Sequence, residues 1–347
     1  MPKVLMMLHY TSSEIGIIFT AVPFVRFILP FLFTKGFQLT PKFFNISLLI
    51  MLISAISFYL SIDNFYALFI SNIGLGIGMG LILPYIEVIA LEVIGKERYG
   101  KVRLFGSIGF ILVALVLVRF LSSAEIALFY LLTFTFLTAI IAFIVVQNVQ
   151  KNDKKKELIE NDITLLKHWQ LWLGLTLMQV SFGAFYNFFT IYETSYGISL
   201  DMTINLWVFG VIVEIIMLYF QGKLLHFNLI LLLEITIFSA IVRWFIVYLF
   251  PQNLPILFLS QSLHALSFAL FYSVAISYLH QLYKNKVLAQ QFYSGITFGL
   301  GGVIGAVSFG YIYEYYHNYI FLIASFIAFL SFISMYVWSL RVRNSKI

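Results

Sequence analysis

The chain has 347 residues, of which 61% are hydrophobic and only 10% are charged, against roughly 25% charged residues in a soluble domain. This composition argues against a soluble enzyme and against a nucleic-acid-binding protein, although the formal net charge is +6. The chain has no cysteine, and its six histidines show no metal-ligand spacing, so we expect no disulfide, metal or cofactor.

The hydropathy pattern predicts an all-α polytopic membrane protein, because about 20 apolar residues cross a hydrocarbon core as a helix. Seventeen of the 21 Lys and Arg residues fall in alternate loops or at the carboxyl terminus, the distribution typical of cytoplasmic loops. We therefore expect a cell (inner) membrane protein with its carboxyl terminus in the cytoplasm and its amino terminus outside. Eleven segments are predicted: 14–34, 43–61, 65–94, 102–121, 124–147, 168–193, 203–220, 228–249, 255–282, 289–315 and 318–340.

The longest polar connection, residues 147 to 169, divides the segments into five and six. It predicts an N-terminal bundle at 1–147, a cytoplasmic linker at 148–167 and a C-terminal bundle at 168–347. A weak internal repeat accompanies this division: at an offset of 188 residues, Arg26 aligns with Glu214 and Lys35 with Lys223. The first segment thus matches the seventh rather than the sixth, so we expect that a helix preceding residue 14 is missing from the first bundle.

Four stretches give the chain a family resemblance: SSEIGIIFTAVPFVRFILP (12–30), YGKVRLFGSIGFI (99–111), SQSLHALSFALFYSVAISY (260–278) and AQQFYSGITFGLGGVIGA (289–306). They resemble permeases of the major facilitator superfamily, in the branch of phenylpropionate-permease-like and nucleoside-proton-symporter-like carriers. The resemblance implies two helix bundles, coupling to protons, and a cavity whose walls here include segments 65–94, 168–193 and 255–282. It also implies that the family's first helix is absent. The loop TKGFQLTPK lacks the acidic residue of the family's usual loop signature.

Ionisable residues inside the predicted helices are candidates for charge pairing, proton relay or substrate contact, because they are costly to bury in lipid. Arg26 lies near mid-membrane and is a candidate for a substrate anion or for an interhelix charge pair. Glu214 is also near mid-membrane, and Arg243 on the next helix lies within about 7 Å of its height. We expect these two to pair, either as pure structure or as a proton-coupled switch. Glu87 follows Pro84 and is a candidate proton or cation site.

Polar and aromatic residues recur along single helix faces in two segments. Those of the segment 255–282 lie at three- and four-residue steps, which suits contact with an amphiphilic aromatic solute. The alternative for its histidine is a bond to a neighbouring carbonyl group. The predicted substrate-binding residues of the first set are Gln261, His264, Ser267, Phe268 and Phe271, and those of the second, in segment 168–193, are Gln179, Tyr186 and Asn187.

These observations predict a secondary active transporter that takes up a small organic solute by alternating access, driven by the proton gradient. An aromatic carboxylate is the preferred substrate, since an arginine suits its anion and aromatic faces suit its ring. A nucleoside or sugar proton symporter is the first alternative, and a transport-inactive truncated relic or sensor is the second. The expected partners are a small-molecule substrate and the lipid bilayer, with no nucleic acid, and the expected state is a monomer.

Overall fold

The structure is a computed structural model, and it describes residues 1–35, 40–94, 96–120, 123–149 and 163–345. Within these ranges, the side chains at 83–84, 87–94, 96–104, 117–119, 148–149, 287 and 345 lie outside the description. The candidate Glu87 is one of them, so its predicted role falls outside the described residues, as do the predicted linker residues 150–162.

The described residues are helical almost throughout and include no β-strand. The first half contains α1 (Pro2–Met7), α2 (Ser12–Ile18), α3 (Ala21–Thr34), α4 (Pro41–Leu60), α5 (Phe65–Ile94), α6 (Lys96–Phe120) and α7 (Ala124–Val149). The second half contains α8 (Trp169–Ser195), α9 (Leu200–Phe220), α10 (Leu229–Leu249), α11 (Leu254–Ser262), α12 (Phe271–Leu282), α13 (Lys286–Phe292), α14 (Gly301–Tyr316) and α15 (Ile320–Ser345). Two π-helical segments make continuous rods: Ala265–Leu270 joins α11 to α12, and Tyr293–Leu300 joins α13 to α14.

The outer surface of the helices is apolar. On α4, for example, Leu49, Ile53 and Ile56 are each at least 50% exposed and follow one another at helical spacing. Within the described ranges, eight helical stretches are long and apolar enough to cross a membrane. Because large exposed apolar faces are avoided in water, these faces are lipid-facing, and the predicted all-α polytopic membrane fold is confirmed.

Buried apolar side chains form two clusters. One draws on residues 4–146 and includes Leu5, Phe44 and Leu128. The other draws on residues 171–338 and includes Phe189 and Trp244. The split lies at the linker predicted from the sequence, but the bundle boundaries and the division into five and six helices stay predictions.

The first predicted helix, 14–34, is broken into α2 and α3 at Phe19 and Thr20. Pro23 cannot donate a backbone hydrogen bond to the turn before it, and the Thr20 hydroxyl donates to the Ile17 carbonyl oxygen at 2.6 Å. The amide of Asn72 on α5 then donates to the Ile18 carbonyl oxygen at 2.5 Å. The break is therefore held by a side chain of a neighbouring helix, which hydropathy alone does not reveal.

The two halves meet along a contact between α2–α3 and the rod from Tyr293 to Tyr316, which we call the glycine seam. A Cβ atom added to any of its glycines would lie 2.5–3.0 Å from an atom of the opposite helix. Two prolines of α3 face two of these glycines, so backbones approach where side chains are smallest. The seam consists of Gly16, Pro23, Phe27 and Pro30 on one side and Gly295, Gly299, Gly302 and Gly310 on the other.

Candidate functional site

Arg243 on α10 is fully buried and binds side chains of the next rod. Its NH1 donates to Nδ1 of His264 at 2.8 Å and to the Ser267 hydroxyl at 3.3 Å, and its NH2 donates to Oε1 of Gln261 at 2.7 Å. Its guanidinium carbon lies 4.3 Å from the ring centroid of Phe185, a cation–π contact. Three of the residues predicted for segment 255–282 thus gather around one buried cation.

His264 connects Arg243 to Glu214. Its Nε2 lies 3.3 Å from Oε2 of Glu214 on α9. Since a guanidinium has no acceptor, Nδ1 must accept from Arg243, and the neutral ring then carries its hydrogen on Nε2, the nitrogen that lies beside the Glu214 carboxyl group. The sequence predicted a pair of Glu214 with Arg243, and in the structure the imidazole lies between them. Counting heights along helices could not show this, because it leaves the rotation of each helix undetermined.

A doubly protonated His264 would point an N–H at the donating NH1 of Arg243. This arrangement removes one hydrogen bond and places two positive charges side by side, which is costly in a buried site. Glu214 is the most exposed of these three residues, with 14% of its side chain exposed against 6% for His264 and none for Arg243. In this conformation a proton is therefore better accommodated on Glu214 than on His264.

The π-helical segment Ala265–Leu270 positions this cluster. An i→i+5 turn changes the register of the helix that follows it, and such turns are frequent at functional sites. His264 and Ser267 face Arg243, but Phe271, four residues after Ser267, is 3% exposed within the large apolar cluster. The α-helical period assumed from the sequence is interrupted here, and the role of Phe271 as a substrate contact stays a prediction.

An aromatic wall flanks the cluster. The ring of Phe268 stacks on His264 with centroids 4.9 Å apart and 5° between the planes. Tyr186, which is 36% exposed, lies 5.5 Å from Phe182, 6.3 Å from Phe268 and 6.4 Å from Trp207 between ring centroids. The aromatic wall, Phe182, Tyr186, Trp207 and Phe268, presents ring faces and edges of the kind that bind an aromatic solute.

Sequence reasoning missed Phe182 and Trp207 in this wall, and it missed Phe185 beneath Arg243. The chain has 38 Phe and 5 Trp residues, so an aromatic residue in a helix carries little signal by itself. The spacing offered one signal: Phe185 and Tyr186 lie three and four residues after Phe182 in α8, on the same stripe as the predicted Tyr186.

Arg26 on α3 is partly buried. Its charge acts on Tyr186 together with the charges of Glu214 and Arg243, so the four residues share one electrostatic neighbourhood that spans both halves of the chain. The backbone carbonyl oxygen of Arg26 lies at the glycine seam, 3.2 Å from the position that a Cβ on Gly295 would occupy. The structure therefore brings Arg26 close to the candidates of the second half.

The remaining predicted residues of α8 do not join the cluster. Asn187 donates from Nδ2 to the Gly183 carbonyl oxygen of its own helix at 3.1 Å. Gln179 is 7% exposed, and its Cβ lies 3.2 Å from the position that a Cβ on Gly301 of α14 would occupy. Both residues stay predictions as substrate contacts, but the described geometry gives them separate surroundings.

Two surface grooves of about 430 and 440 Å³ lie elsewhere, around Asn228 and around Lys223. Neither is lined by Arg243, His264 or Glu214, so neither groove contains the candidate site.

The chain is similar in sequence and in fold to transporters. The model of the family described as MFS_1 like matches residues 1–340. The probable 3-phenylpropionic acid transporter of Escherichia coli (strain K12) is 25% identical over 244 residues, which cover 66% of this chain. This chain spans 62% of the length of that curated relative.

Among solved structures, the nucleoside transporter NupG superposes with a TM-score of 0.73 at 16% identity, covering 95% of this chain and 91% of that chain. The E. coli fucose:proton symporter FucP superposes with a TM-score of 0.63 at 15% identity, covering 97% and 93%. These similarities concern the fold. The relatives named above are transporters and not enzymes. This agrees with the prediction from the sequence that the family of this chain consists of transporters.

Proposed function

The chain belongs to the MFS_1 like family, as its sequence predicted, and from this premise we propose that it is a secondary active transporter coupled to protons. It takes up a small aromatic carboxylate by alternating access of its two halves. The observation that carries this proposal is the series of contacts from Arg243 through His264 to Glu214, beside the aromatic wall. The similarity to the probable 3-phenylpropionic acid transporter of E. coli supports the choice of substrate.

Arg26 takes the substrate carboxylate in this proposal, and Arg243 does not. The guanidinium of Arg243 is fully buried and donates three hydrogen bonds to protein side chains. Arg26 is partly exposed and shares the neighbourhood of Tyr186. Binding of an anion at Arg26, near Tyr186 of the aromatic wall, would leave the hydrogen bonds of Arg243 intact.

Coupling follows from like-charge repulsion. A substrate anion bound in the neighbourhood of Glu214 disfavours a second negative charge there, so anion binding favours the protonated form of Glu214. By linkage, a proton on Glu214 favours anion binding by the same factor. His264 transmits the change, because protonation of Glu214 replaces the carboxylate beside the Nε2 hydrogen with a neutral acid. Proton and anion then cross together, and the proton gradient drives uptake.

We place the basic loops and the carboxyl terminus in the cytoplasm of an inner-membrane protein, following the charge distribution. In the same proposal, the chain works as a monomer of two bundles, 1–147 and 168–347, and it uses the proton gradient without a bound cofactor.

The test is uptake of radiolabelled 3-phenylpropionate into vesicles that contain the purified chain, with an acidic outside. Initial rates are compared with protein-free vesicles, because the undissociated acid also crosses lipid unaided. We expect Glu214→Gln to abolish gradient-stimulated uptake and to retain exchange of external for internal substrate, since the amide mimics the protonated acid. Glu125→Gln, which removes an exposed carboxylate on α7, should keep both activities. Equal gradient stimulation in the wild type and in Glu214→Gln would overturn the assignment.

A nucleoside is the second candidate substrate, because the aromatic wall would also stack against a nucleobase. A labelled nucleoside in the same vesicles separates the two. Uptake of the nucleoside, with no competition by 3-phenylpropionate, would replace the carboxylate proposal.

A further inference from the structure

The last turn of α8 carries a carboxyl group that the proposed transport cycle does not use. Glu193 is 0% exposed, and neither of its side-chain oxygens has a hydrogen-bond partner among the described residues. It lies seven residues beyond Tyr186, about 10 Å along the helix. It therefore lies outside the aromatic wall and the Arg243 cluster.

Burial without a partner requires this carboxyl group to be neutral. Moving an isolated carboxylate into a low-dielectric interior is so costly that the group binds a proton instead. Lys3 in α1 reaches this turn, but its Nζ donates to the Thr194 hydroxyl at 3.0 Å. Asp201 in α9 and Glu314 in α14, at the same end of the fold, have exposed side chains, and the amino group of Met1, which precedes α1, is buried. Among the described residues, none of these groups and no cation donates a hydrogen bond to the Glu193 carboxyl group.

The carboxyl group is also covered. The chain turns back after α8, and the Ile198 amide donates to the Glu193 carbonyl oxygen at 3.1 Å. Gly197 makes this turn with φ = +89°, a left-handed conformation that favours glycine. The hydroxyl of Tyr196 donates to Oδ1 of Asn318 at 3.0 Å, which ties the turn to the start of α15. The turn and α1 together close this end of α8.

From this geometry we propose that Glu193 is a second proton-binding site, separate from Glu214. It holds a proton in this conformation and exchanges it with water only when α1 and the turn at 196–199 separate from α8. The ligand is the proton alone. Opening breaks the hydrogen bond between Lys3 and Thr194, so this bond helps to keep the cover closed.

Infrared difference spectroscopy of the full chain in lipid at neutral pH tests this proposal. We expect the carbonyl stretch of a protonated carboxylic acid in the wild type and its loss in Glu193→Gln. Glu314→Gln is the matched control at the same end of the fold and should keep the band, since its exposed carboxylate is ionised. If Glu193→Gln does not fold, Glu193→Met serves in its place, with folding checked by size-exclusion chromatography.

Deuterium exchange then tests the cover. The band should shift slowly in heavy water for the wild type and faster in Lys3→Met, which lacks the bond to Thr194. An acid band of equal size in the wild type and in the Glu193 variants would show that Glu193 is ionised and would overturn the proposal. An immediate shift in the wild type would overturn its occlusion.

Discussion

Gly299→Ala probes the glycine seam most directly. A Cβ on Gly299 would lie 2.6 Å from the amide nitrogen and 2.7 Å from the Cα of Phe27, both backbone atoms that cannot rotate away. Non-bonded carbon atoms prefer about 3.5–4.0 Å, so α3 and the rod carrying Gly299 must separate by about 1 Å. The added methyl group therefore acts on the contact between the two halves.

Overpacking of this kind costs about 1–3 kcal/mol. The contact joins the halves, so the cost falls on the conformation in which these helices touch. The ratio of that conformation to an opened one should then fall about 5- to 150-fold, at 1.4 kcal/mol for each factor of ten. We expect slower uptake of substrate by a chain that still folds.

A cysteine reporter measures this shift, because the natural chain contains no cysteine. Ser12→Cys is nearly isosteric and places a buried thiol at the end of the seam, beside Gly310. A water-soluble maleimide should label it faster in combination with Gly299→Ala than alone. Gly106→Ala is the control, since a Cβ there has no atom of the described residues within 4 Å. Equal labelling with Gly299→Ala and with Gly106→Ala would refute the seam as a contact that opens.

Three further predictions follow from other contacts. The Nδ1 of His168 accepts a hydrogen bond from the Tyr283 hydroxyl at 2.9 Å, and Trp172 donates to the same hydroxyl oxygen. Burial lowers the pKa of His168, and the charges of Lys167 and Arg341 lower it further. Neutral His168 stabilises the fold above its ordinary pKa of about 6.5, and this contribution is lost as the pH falls below that value. The melting temperature should therefore drop between pH 7 and 5.5 in the wild type but not in His168→Gln, and parallel curves would contradict this. Trp207→Leu should raise KM for 3-phenylpropionate about 2- to 12-fold through loss of a ring contact worth about 0.5–1.5 kcal/mol. Trp169→Leu, at a 52% exposed site, should leave KM unchanged, and an equal change in both variants would count against the aromatic wall. Asn72→Leu leaves the Ile18 carbonyl oxygen without its donor at a cost of about 1–3 kcal/mol, so the melting temperature should fall, and an unchanged value would show that the break in α2–α3 does not depend on it.

Hydropathy predicted most of the helix positions, because each stretch that crosses lipid must be apolar over its whole length. It predicted 228–249 and 255–282, and the structure has Leu229–Leu249 and a continuous rod at Leu254–Leu282. It did not predict the break at Phe19 and Thr20, which depends on Asn72 in another helix. Tertiary hydrogen bonds of this kind leave no mark in the local sequence.

The sequence identified residues of the candidate site, but it did not predict which of them contact one another. Arg243 and Glu214 were predicted because ionisable groups are rare inside apolar helices, and His264 because it shares a helix face with Gln261 and Ser267. The order of their contacts depends on how each helix is rotated, and a sequence without its neighbours does not fix that rotation. Glu193 was missed for a related reason: near a helix end a carboxylate is expected to reach water, and only the folded turn over it shows that it does not.

Proton movement that accompanies substrate tests the central proposal most directly. Adding 3-phenylpropionate to weakly buffered vesicles that contain the chain should make the external medium more alkaline. The change should be faster than in protein-free vesicles, where only the undissociated acid carries protons, and Glu214→Gln should reduce it to the protein-free rate. Protein-dependent uptake of the substrate without any additional proton uptake would contradict a proton-coupled carrier.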